Sequence, residues 1–181
     1  MVTQRDSSAE TSNTITINAS EENATANVTI SNVNINASNN AGSESKAAVS
    51  TGGKGNVNIE LDGTNTLKSG REHAGLEKSG DGKLTITDEN GNGKLIATGG
   101  DYGAGIGGGS KGNGSDITIT GGEVTAAGGT TGAGIGGGLR KNGEKITVSG
   151  DATLKVQGGP TDEWDGAGAG IGNGGSLNED F

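Results

Sequence analysis

Residues 103–109 read Gly-Ala-Gly-Ile-Gly-Gly-Gly, and the same string recurs at 132–138 and, with Asn173 as its one change, at 168–174. The apolar centres of these copies and of two weaker, earlier ones are Val49, Leu76, Ile106, Ile135 and Ile171. Successive centres lie 27, 30, 29 and 36 residues apart. Self-similarity at a period of about 20–50 residues is typical of a solenoid or a related repeat architecture.

Two further elements recur within the units, and both alternate apolar with polar residues. The first lies at 28–30, 57–59, 84–86, 117–119 and 146–148. The second follows it at 33–35, 95–97, 124–126 and 154–156. Alternation with β-branched residues indicates strands, and the Gly-Gly, Asp-Gly and Asn-Gly pairs between them indicate turns. No stretch has a helical period, so we expect no significant helix.

Three short strands in each unit predict an all-β fold, a right-handed parallel β-helix in which each unit forms one coil. We expect a three-sheet β-solenoid of about six coils, each of about 29 residues. The right hand follows from the rule for parallel crossover connections. Because a solenoid core is a thin column of stacked apolar side chains, a chain with 39 glycines and only 28% hydrophobic residues can still fold.

Composition and charge exclude several classes of protein. The formal net charge of −9 disfavours binding to the phosphates of nucleic acid. The chain has no run of about 18 apolar residues, so we expect no membrane insertion. It also has no cysteine, which excludes disulfides, thiolate metal sites and cysteine nucleophiles.

We predict a single β-helix domain over residues 1–181. Residues 1–45 are rich in Asn, Ser and Thr and are expected to form irregular first coils, whereas residues 46–175 form the regular Gly-rich coils. The first residues lack the apolar segment of a signal peptide, and neither end carries an anchor motif. Because the chain opens and ends abruptly, we expect it to be a fragment of a larger surface protein.

Residues 117–126 read Ile-Thr-Ile-Thr-Gly-Gly-Glu-Val-Thr-Ala and are followed by Gly-Ala-Gly-Ile. This pattern resembles the repeats of bacterial surface β-helix proteins, which include the clostridial cellulose- and pectin-binding β-helix family and the Gly-rich repeats of Gram-positive adhesins. The resemblance covers about residues 45–175. It implies a right-handed parallel β-helix, an extracellular location on the bacterial cell surface, and binding to a glycan such as a host or plant cell-wall polysaccharide.

Calcium is often present in the carbohydrate-binding family that the repeats resemble. Its repeats often read Asp-Gly-Ile where this chain has Ala104, Ala133 and Ala169, so three plausible oxygen ligands are absent here. A second candidate metal site is the oxygen-rich loop that contains Asp88, Glu89 and Asn90, although its spacing does not match an EF-hand. We therefore expect no required cofactor, with calcium as the one candidate ion.

When the coils are aligned on their apolar centres, one corner collects the only histidine, the only tyrosine and the only tryptophan. The extra residues of the 36-residue spacing fall at the same corner, at 159–165, and insertions in repeat proteins often map to a binding face. Aromatic faces with flanking carboxylates suit sugar rings. The predicted carbohydrate site comprises Arg71, His73, Asp101, Tyr102, Asp162, Trp164 and Asp165.

Three alternatives to a glycan-binding module remain open. The first alternative is an ice-binding protein, because the outward threonines of the first strand would form two parallel ranks. The ranks comprise Thr85, Thr87, Thr118, Thr120 and Thr147 and are extended by Thr29 and Ser31. Asn58 and Glu60 interrupt them. A polysaccharide lyase would use the carboxylate-rich neighbourhood of Arg71 and His73, which contains Glu72 and Glu77. A glycosidase would instead draw its paired carboxyl groups from Asp101, Asp162, Glu163 and Asp165. The third alternative is a purely structural stalk. We expect a non-catalytic, adhesin-like module that binds carbohydrate.

Overall fold

The structure is a computed structural model that describes residues 1–39 and 45–177, and it contains seventeen short β-strands within those ranges. In chain order the strands are β1 (Val2–Thr3), β2 (Ile15–Ala19), β3 (Thr25–Ser31), β4 (Asn34–Asn36), β5 (Val49–Gly53), β6 (Asn56–Asp62), β7 (Thr64–Lys68), β8 (Leu76–Lys78), β9 (Leu84–Thr87), β10 (Lys94–Thr98), β11 (Ile106–Gly107), β12 (Gly114–Ile119), β13 (Glu123–Ala127), β14 (Ile135–Gly136), β15 (Gly143–Val148), β16 (Thr153–Gln157) and β17 (Ile171–Gly172). None of the described residues is helical, and they contain no helix that could cross a membrane.

The strands form three parallel sheets. The first has the order β1-β3-β6-β9-β12-β15, the second β4-β7-β10-β13-β16, and the third β2-β5-β8-β11-β14-β17. From β3 onward the chain visits the first, second and third sheets in turn, and it completes five coils by β17. This confirms the predicted all-β, three-sheet parallel solenoid.

The core is the predicted column of stacked apolar residues. In the first sheet Ile59, Ile86 and Ile119 lie in register, and all three are fully buried. In the third sheet the apolar centres Val49, Leu76, Ile106 and Ile135 also pair in register and are fully buried. Each coil therefore needs only a few inward apolar groups, which accounts for the low hydrophobic content.

The strand register predicted for the first sheet was wrong between β3 and β6. Val28 pairs with Ile59, not with Val57, so the true register differs by two residues. Ser31 consequently pairs with Asp62, where its hydroxyl donates to Asp62 Oδ2 at 2.7 Å, and is not part of an exposed rank. A shift of two residues keeps every side chain on the same face of a strand, so alternation alone could not detect it.

The strands predicted for the second recurring element did not include β7, because a polar residue occupies the inward position of this strand. Asn65 pairs with Leu95 in the core and is fully buried. Its Oδ1 accepts a hydrogen bond from the N–H of Val33 at 3.2 Å, and its Nδ2 donates to the carbonyl of Asp62 at 3.2 Å. These bonds satisfy the buried amide, which a buried polar group requires.

The described part of the first coils follows the same three sheets as the rest. β1 pairs with β3 in the first sheet, Thr11 forms a bridge to Ile35 of the second, and β2 pairs with β5 in the third. Residues 40–44 of the predicted irregular segment lie outside the described residues.

The coils approach closely at the repeated Gly-rich motif, and Gly105 shows how closely. A Cβ added at Gly105 would lie 2.7 Å from the backbone nitrogen of Ala127 and 2.7 Å from the carbonyl oxygen of Gly134. Gly170 holds the same motif position in the last coil, where an added Cβ would meet only the carbonyl oxygen of Val156 at 3.7 Å.

We predict that Gly105→Ala lowers the free energy of unfolding by about 1–3 kcal/mol, the usual effect of an overpacked core. Gly170→Ala should change it by less than about 0.5 kcal/mol. Urea unfolding followed by circular dichroism measures both. Equal effects of the two substitutions would contradict the close coil-to-coil contact.

Candidate functional site

The connection between the second and third sheets stacks on itself over four successive coils. The N–H of Glu72 donates to the carbonyl of Asp101 at 2.8 Å, and the N–H of Tyr102 donates to the carbonyl of Thr130 at 3.0 Å. The N–H of Thr131 donates to the carbonyl of Pro160 at 2.8 Å in the last coil. We call residues 70–73, 100–103, 129–132 and 159–168 the stacked corner.

Each stacked turn has a non-glycine residue in the left-handed region. Glu72 and Tyr102 have φ of 70° and Thr131 has φ of 62°. This backbone conformation is uncommon for residues with a Cβ, most of all for a β-branched one. Their carbonyls accept hydrogen bonds from the N–H groups of Ser110, Leu139 and Gly175 at 2.8, 2.9 and 2.6 Å. Each turn is therefore also held by the loop that follows the third-sheet strand of the next coil.

Arg71 and Tyr102 are brought into contact at the stacked corner. The guanidinium carbon of Arg71 lies 5.6 Å from the centroid of the Tyr102 ring, within the range of a cation–π interaction. Asp101, beside Tyr102, is exposed, and its Oδ1 accepts a hydrogen bond from the Thr130 hydroxyl at 3.4 Å. The structure thus places three predicted site residues next to one another on two adjacent coils.

The last coil carries the insertion, which closes on itself before the Gly-Ala-Gly-Ile motif resumes. Gly159 donates to the carbonyl of Gly132 at 2.8 Å, and Gly168 donates to the carbonyl of Gly159 at 3.0 Å. Asp162 Oδ1 accepts hydrogen bonds from the N–H groups of Trp164 and Asp165 at 2.9 and 2.7 Å. Trp164 remains 61% exposed on this short loop. Asp162 therefore stabilises the backbone of the loop that carries the Trp164 indole.

Asp165 is buried, with only 2% of the residue exposed. Its two carboxylate oxygens accept hydrogen bonds from Nε and Nη2 of Arg140, at 2.7 and 3.0 Å. This bond raises the pKa of the Arg140 guanidinium above its already high ordinary value. The carboxylate is thus engaged within the protein, where it holds the loop that carries Trp164 to Arg140. Sequence reasoning missed Arg140, because no motif links it to Asp165.

Arg140 also connects the insertion to the rest of the stacked corner. It follows Leu139, whose N–H donates to the carbonyl of Tyr102 at 2.9 Å. The two aromatic residues, Tyr102 and Trp164, are therefore tied together through a loop of the intervening coil. They lie two coils apart, because the third-sheet strands that follow them are β11 and β17 with β14 between.

His73 pairs with a carboxylate at the first turn of the corner. Its Nδ1 lies 2.9 Å from Glu77 Oε2, which also accepts the N–H of Ala74 at 3.0 Å. The hydrogen bond to Glu77 raises the pKa of His73 above its ordinary value, although partial burial opposes this effect. Glu77 was not among the predicted carbohydrate-site residues, although it belongs to the carboxylate-rich neighbourhood of the lyase alternative.

Beside His73 lies a hollow of about 470 Å³ with charged walls. Its charged lining consists of Glu72, His73, Glu77, Lys78, Asp81 and Lys111. Lys78 is buried, its Nζ donates to the carbonyl of Gly80 at 2.6 Å, and burial lowers the pKa of its ammonium group. No motif marked this hollow, since Lys78 is the last residue of β8 and Lys111 lies in the loop after β11, one coil later.

In the oxygen-rich loop that was a candidate calcium site, the Asp88 carboxylate binds backbone N–H groups of the same loop. Asp88 Oδ1 accepts the N–H groups of Gly91 and Asn92 at 2.9 and 3.2 Å, and Oδ2 accepts the N–H of Gly93 at 3.0 Å. Across residues 1–39 and 45–177, no group of three or more His, Cys, Asp or Glu side chains could hold a metal ion. Asp88 therefore has a clear structural role in this turn.

The predicted threonine ranks are formed in part. Thr85, Thr118 and Thr147 pair in register on the first sheet and continue into Asn58. In the second rank Thr87 pairs with Glu60, whose Oε2 accepts the Thr87 hydroxyl. Thr120 lies just beyond β12, and its hydroxyl is 3.3 Å from the carbonyl of Ile86.

Comparisons with protein-family models, with curated proteins and with solved structures give no significant match for this chain.

We predict that Asp165→Asn loosens the loop that carries Trp164, because the substitution removes the charge that Arg140 binds. Chymotrypsin should then cleave after Trp164 faster than in the unaltered protein. The control is Lys155→Gln, which removes an exposed pair with Glu123 at 4.0 Å and should leave the cleavage rate unchanged. Unaltered cleavage in Asp165→Asn would show that the pair does not hold the loop.

The His73–Glu77 pair predicts a dependence of stability on pH. Because folding raises the pKa of His73, its stabilising contribution is complete below the unfolded value of about 6.5. It is lost as the pH rises through the higher folded value. We therefore expect the stability advantage of the unaltered protein over His73→Gln to shrink as the pH rises above about 6.5.

Urea unfolding at a series of pH values measures this difference. In a Glu77→Gln background the His73→Gln substitution should lose most of its pH dependence. Parallel stability curves for the unaltered protein and His73→Gln would contradict the proposed pairing.

Proposed function

We propose that this protein is a non-catalytic, adhesin-like module that binds carbohydrate at the stacked corner. The observation that carries the proposal is the placement of Tyr102 and the exposed Trp164 two coils apart on a rigid parallel scaffold. Coils separated by about 4.8 Å place the two rings' attachment points about 10 Å apart along the axis. That distance is near the span of two sugar units.

The corner offers the contacts that recognise a sugar chain. The Trp164 ring provides an apolar face for the C–H side of one sugar ring, and the Tyr102 ring provides another. Arg71 and Asp101, which flank Tyr102, provide a donor and an acceptor for hydroxyl groups. A chain running along the solenoid axis would cross successive coils at this corner.

The hollow beside His73 extends this surface at its first coil. Its walls carry both lysines and carboxylates, so it suits a polar, hydroxyl-rich sugar unit better than an apolar ligand. It is continuous in sequence with the corner through Glu72 and His73, which line it. A glycan of three or four units is therefore the ligand we favour.

The non-catalytic part of this proposal is supported by three of the local carboxyl groups, which are already engaged within the protein. Asp165 is engaged by Arg140, Glu77 by His73, and Asp162 by the loop backbone. A glycosidase requires two carboxyl groups that flank the scissile bond and are free to exchange protons. The bacterial cell surface as location and a cell-wall or host polysaccharide as ligand follow from the repeat resemblance, and both are part of the proposal.

An ice-binding surface is the second candidate. One observation favours it: Thr85, Thr118 and Thr147 are aligned in register on one sheet. The rank contains only these three threonines before Asn58 interrupts it, and Glu60 places a charge in the neighbouring rank. The glycan proposal is favoured because the corner combines Tyr102 and Trp164 with charged hydrogen-bonding groups.

The test is a glycan array with the unaltered protein, Trp164→Ala, Tyr102→Ala and Thr118→Lys. We expect the Trp164→Ala variant to bind at least about tenfold more weakly, because a stacked aromatic group contributes about 0.5–1.5 kcal/mol beyond its buried area. Tyr102→Ala should also weaken binding. Thr118→Lys, on the first sheet and away from the corner, should bind normally.

Three results would overturn the proposal. They are the absence of any bound glycan, unchanged affinity in Trp164→Ala, and reproducible cleavage of a bound polysaccharide. Thermal hysteresis that is abolished by Thr118→Lys but not by Trp164→Ala would favour the ice-binding candidate instead.

A further inference from the structure

Five turns of the chain contain the pair Asn-Gly, at which an asparagine side chain can lose its amide group. The pairs are Asn90-Gly91, Asn92-Gly93, Asn113-Gly114, Asn142-Gly143 and Asn173-Gly174. The backbone nitrogen of the glycine attacks the side-chain amide carbon of the asparagine, and glycine has no Cβ to hinder the approach. Ring closure gives a succinimide and releases ammonia, and water then opens the ring to aspartate or isoaspartate.

The fold controls this reaction through the hydrogen bonds of each pair. The glycine nitrogen must lose its proton, and the asparagine side chain must turn back onto that nitrogen. A glycine N–H or an asparagine amide that is hydrogen-bonded within the protein must first break that bond, which requires local opening of the structure. Because the five pairs are chemically alike, their hydrogen bonds determine which of them reacts first.

The three pairs that follow β11 hold their glycine N–H groups in contacts between coils. Gly114 donates its N–H to the carbonyl of Asn142 at 2.9 Å, and Gly143 donates to Oδ1 of Asn173 at 2.9 Å. Gly174 donates to a carbonyl of the preceding coil at 3.0 Å. All three nitrogens are therefore protected from attack by the stacking of the coils.

The asparagine side chains of these three pairs are engaged as well. Asn113 Oδ1 accepts the N–H of Asn142 at 3.1 Å, and Asn173 Oδ1 accepts that of Gly143 at 2.9 Å. Asn142 Nδ2 donates to Glu144 Oε1 at 3.1 Å. Ring closure at any of these pairs would have to break two hydrogen bonds, one of the glycine and one of the asparagine.

The other two pairs lie in the loop between β9 and β10, and they differ from each other. Gly93 is buried and donates to Asp88 Oδ2 at 3.0 Å, while Asn92 Nδ2 donates to Asp62 Oδ1 at 3.0 Å. Gly91 donates to Asp88 Oδ1 at 2.9 Å, but this oxygen also accepts the N–H of Asn92 at 3.2 Å. The N–H of Gly91 is therefore held only by a shared side-chain oxygen.

The pair Asn90-Gly91 is the least protected of the five. Within residues 1–39 and 45–177, Asn90 is the one asparagine of these pairs whose side chain makes no hydrogen bond, and both Asn90 and Gly91 are exposed. A Cβ added at Gly91 would meet no atom within 4 Å, whereas one added at any of the other four glycines would lie under 3.0 Å from another residue. Asn90 and Gly91 therefore have the space that ring closure requires.

We propose that Asn90 is a modification site, at which the folded protein deamidates through a succinimide with Gly91 while the other four pairs are protected. The Gly91 nitrogen bonds to the Asn90 amide carbon, its proton leaves with the side-chain nitrogen as ammonia, and one water molecule opens the ring. The product adds a carboxylate to the loop that already contains Asp88 and Glu89. In the isoaspartate product the side-chain Cβ also becomes part of the main chain.

This inference is independent of the proposed glycan site. The loop that contains Asn90 connects the first sheet to the second, whereas the stacked corner connects the second to the third. Glycan binding and deamidation are therefore measured separately, and the failure of one leaves the other standing.

The test incubates the folded, unaltered protein at neutral pH and follows each of the five pairs by peptide mass spectrometry. We expect Asn90 to deamidate at least about tenfold faster than any other pair, the ratio that a barrier difference of about 1.4 kcal/mol produces. The matched control is the same chain unfolded in denaturant, where the hydrogen bonds are absent and the advantage of Asn90 should disappear. Faster deamidation at another pair of the folded protein, or the same ranking in both states, would overturn the proposal.

Variants provide a second readout, the release of ammonia by the folded protein. Asn90→Gln should remove most of it, because the longer side chain closes a larger ring much more slowly, whereas Asn113→Gln should leave it unchanged. Asp88→Ala frees the N–H of Gly91 and should accelerate deamidation at Asn90. Ammonia release that persists in Asn90→Gln, or a rate at Asn90 that does not rise in Asp88→Ala, would contradict the control of this site by its hydrogen bonds.

Discussion

The parallel hydrogen-bond ladder between successive coils is the constraint on which the rest of this structure depends. It fixes the coil spacing at about 4.8 Å, and every side chain must fit within that distance. The Gly-Ala-Gly-Ile segments satisfy it directly, because Gly105 and Ile106 donate their N–H groups to the carbonyls of Ala133 and Gly134. A Cβ at Gly105 would collide with the neighbouring coil. The glycine content therefore reflects the ladder and not disorder.

The same ladder builds the stacked corner. Because it holds the coils in register, residues about 30 positions apart in sequence become neighbours, and Arg71 comes to lie over the Tyr102 ring. The turns repeat with Glu72, Tyr102 and Thr131 in the left-handed region, so their side chains leave the backbone from equivalent points. A rigid, periodic arrangement of this kind suits an extended ligand that is itself periodic, as a polysaccharide is.

Much of the fold could be predicted because its signals are local or repeat at a fixed spacing. Alternation of apolar and polar residues located most of the strands, and the recurrent Gly-Ala-Gly-Ile motif gave the coil length. Alternation did not reveal β7, because Asn65 fills an inward position there. Its amide is satisfied by hydrogen bonds with the backbone of other coils. Alternation also failed in the register of β3, because a shift of two residues leaves the pattern of faces unchanged.

The sequence by itself determined the solenoid, its three sheets and the corner at which the rare aromatic residues gather. Only the tertiary structure decided what each side chain at that corner does: Asp165 binds Arg140, Glu77 binds His73, and Trp164 stays exposed. It also decided that Val148 and Ile171 are exposed whereas Ile119 and Ile135, their register partners one coil earlier, are buried. The physical reason is that periodicity reports which way a side chain points, whereas its partner depends on distances between loops of different coils.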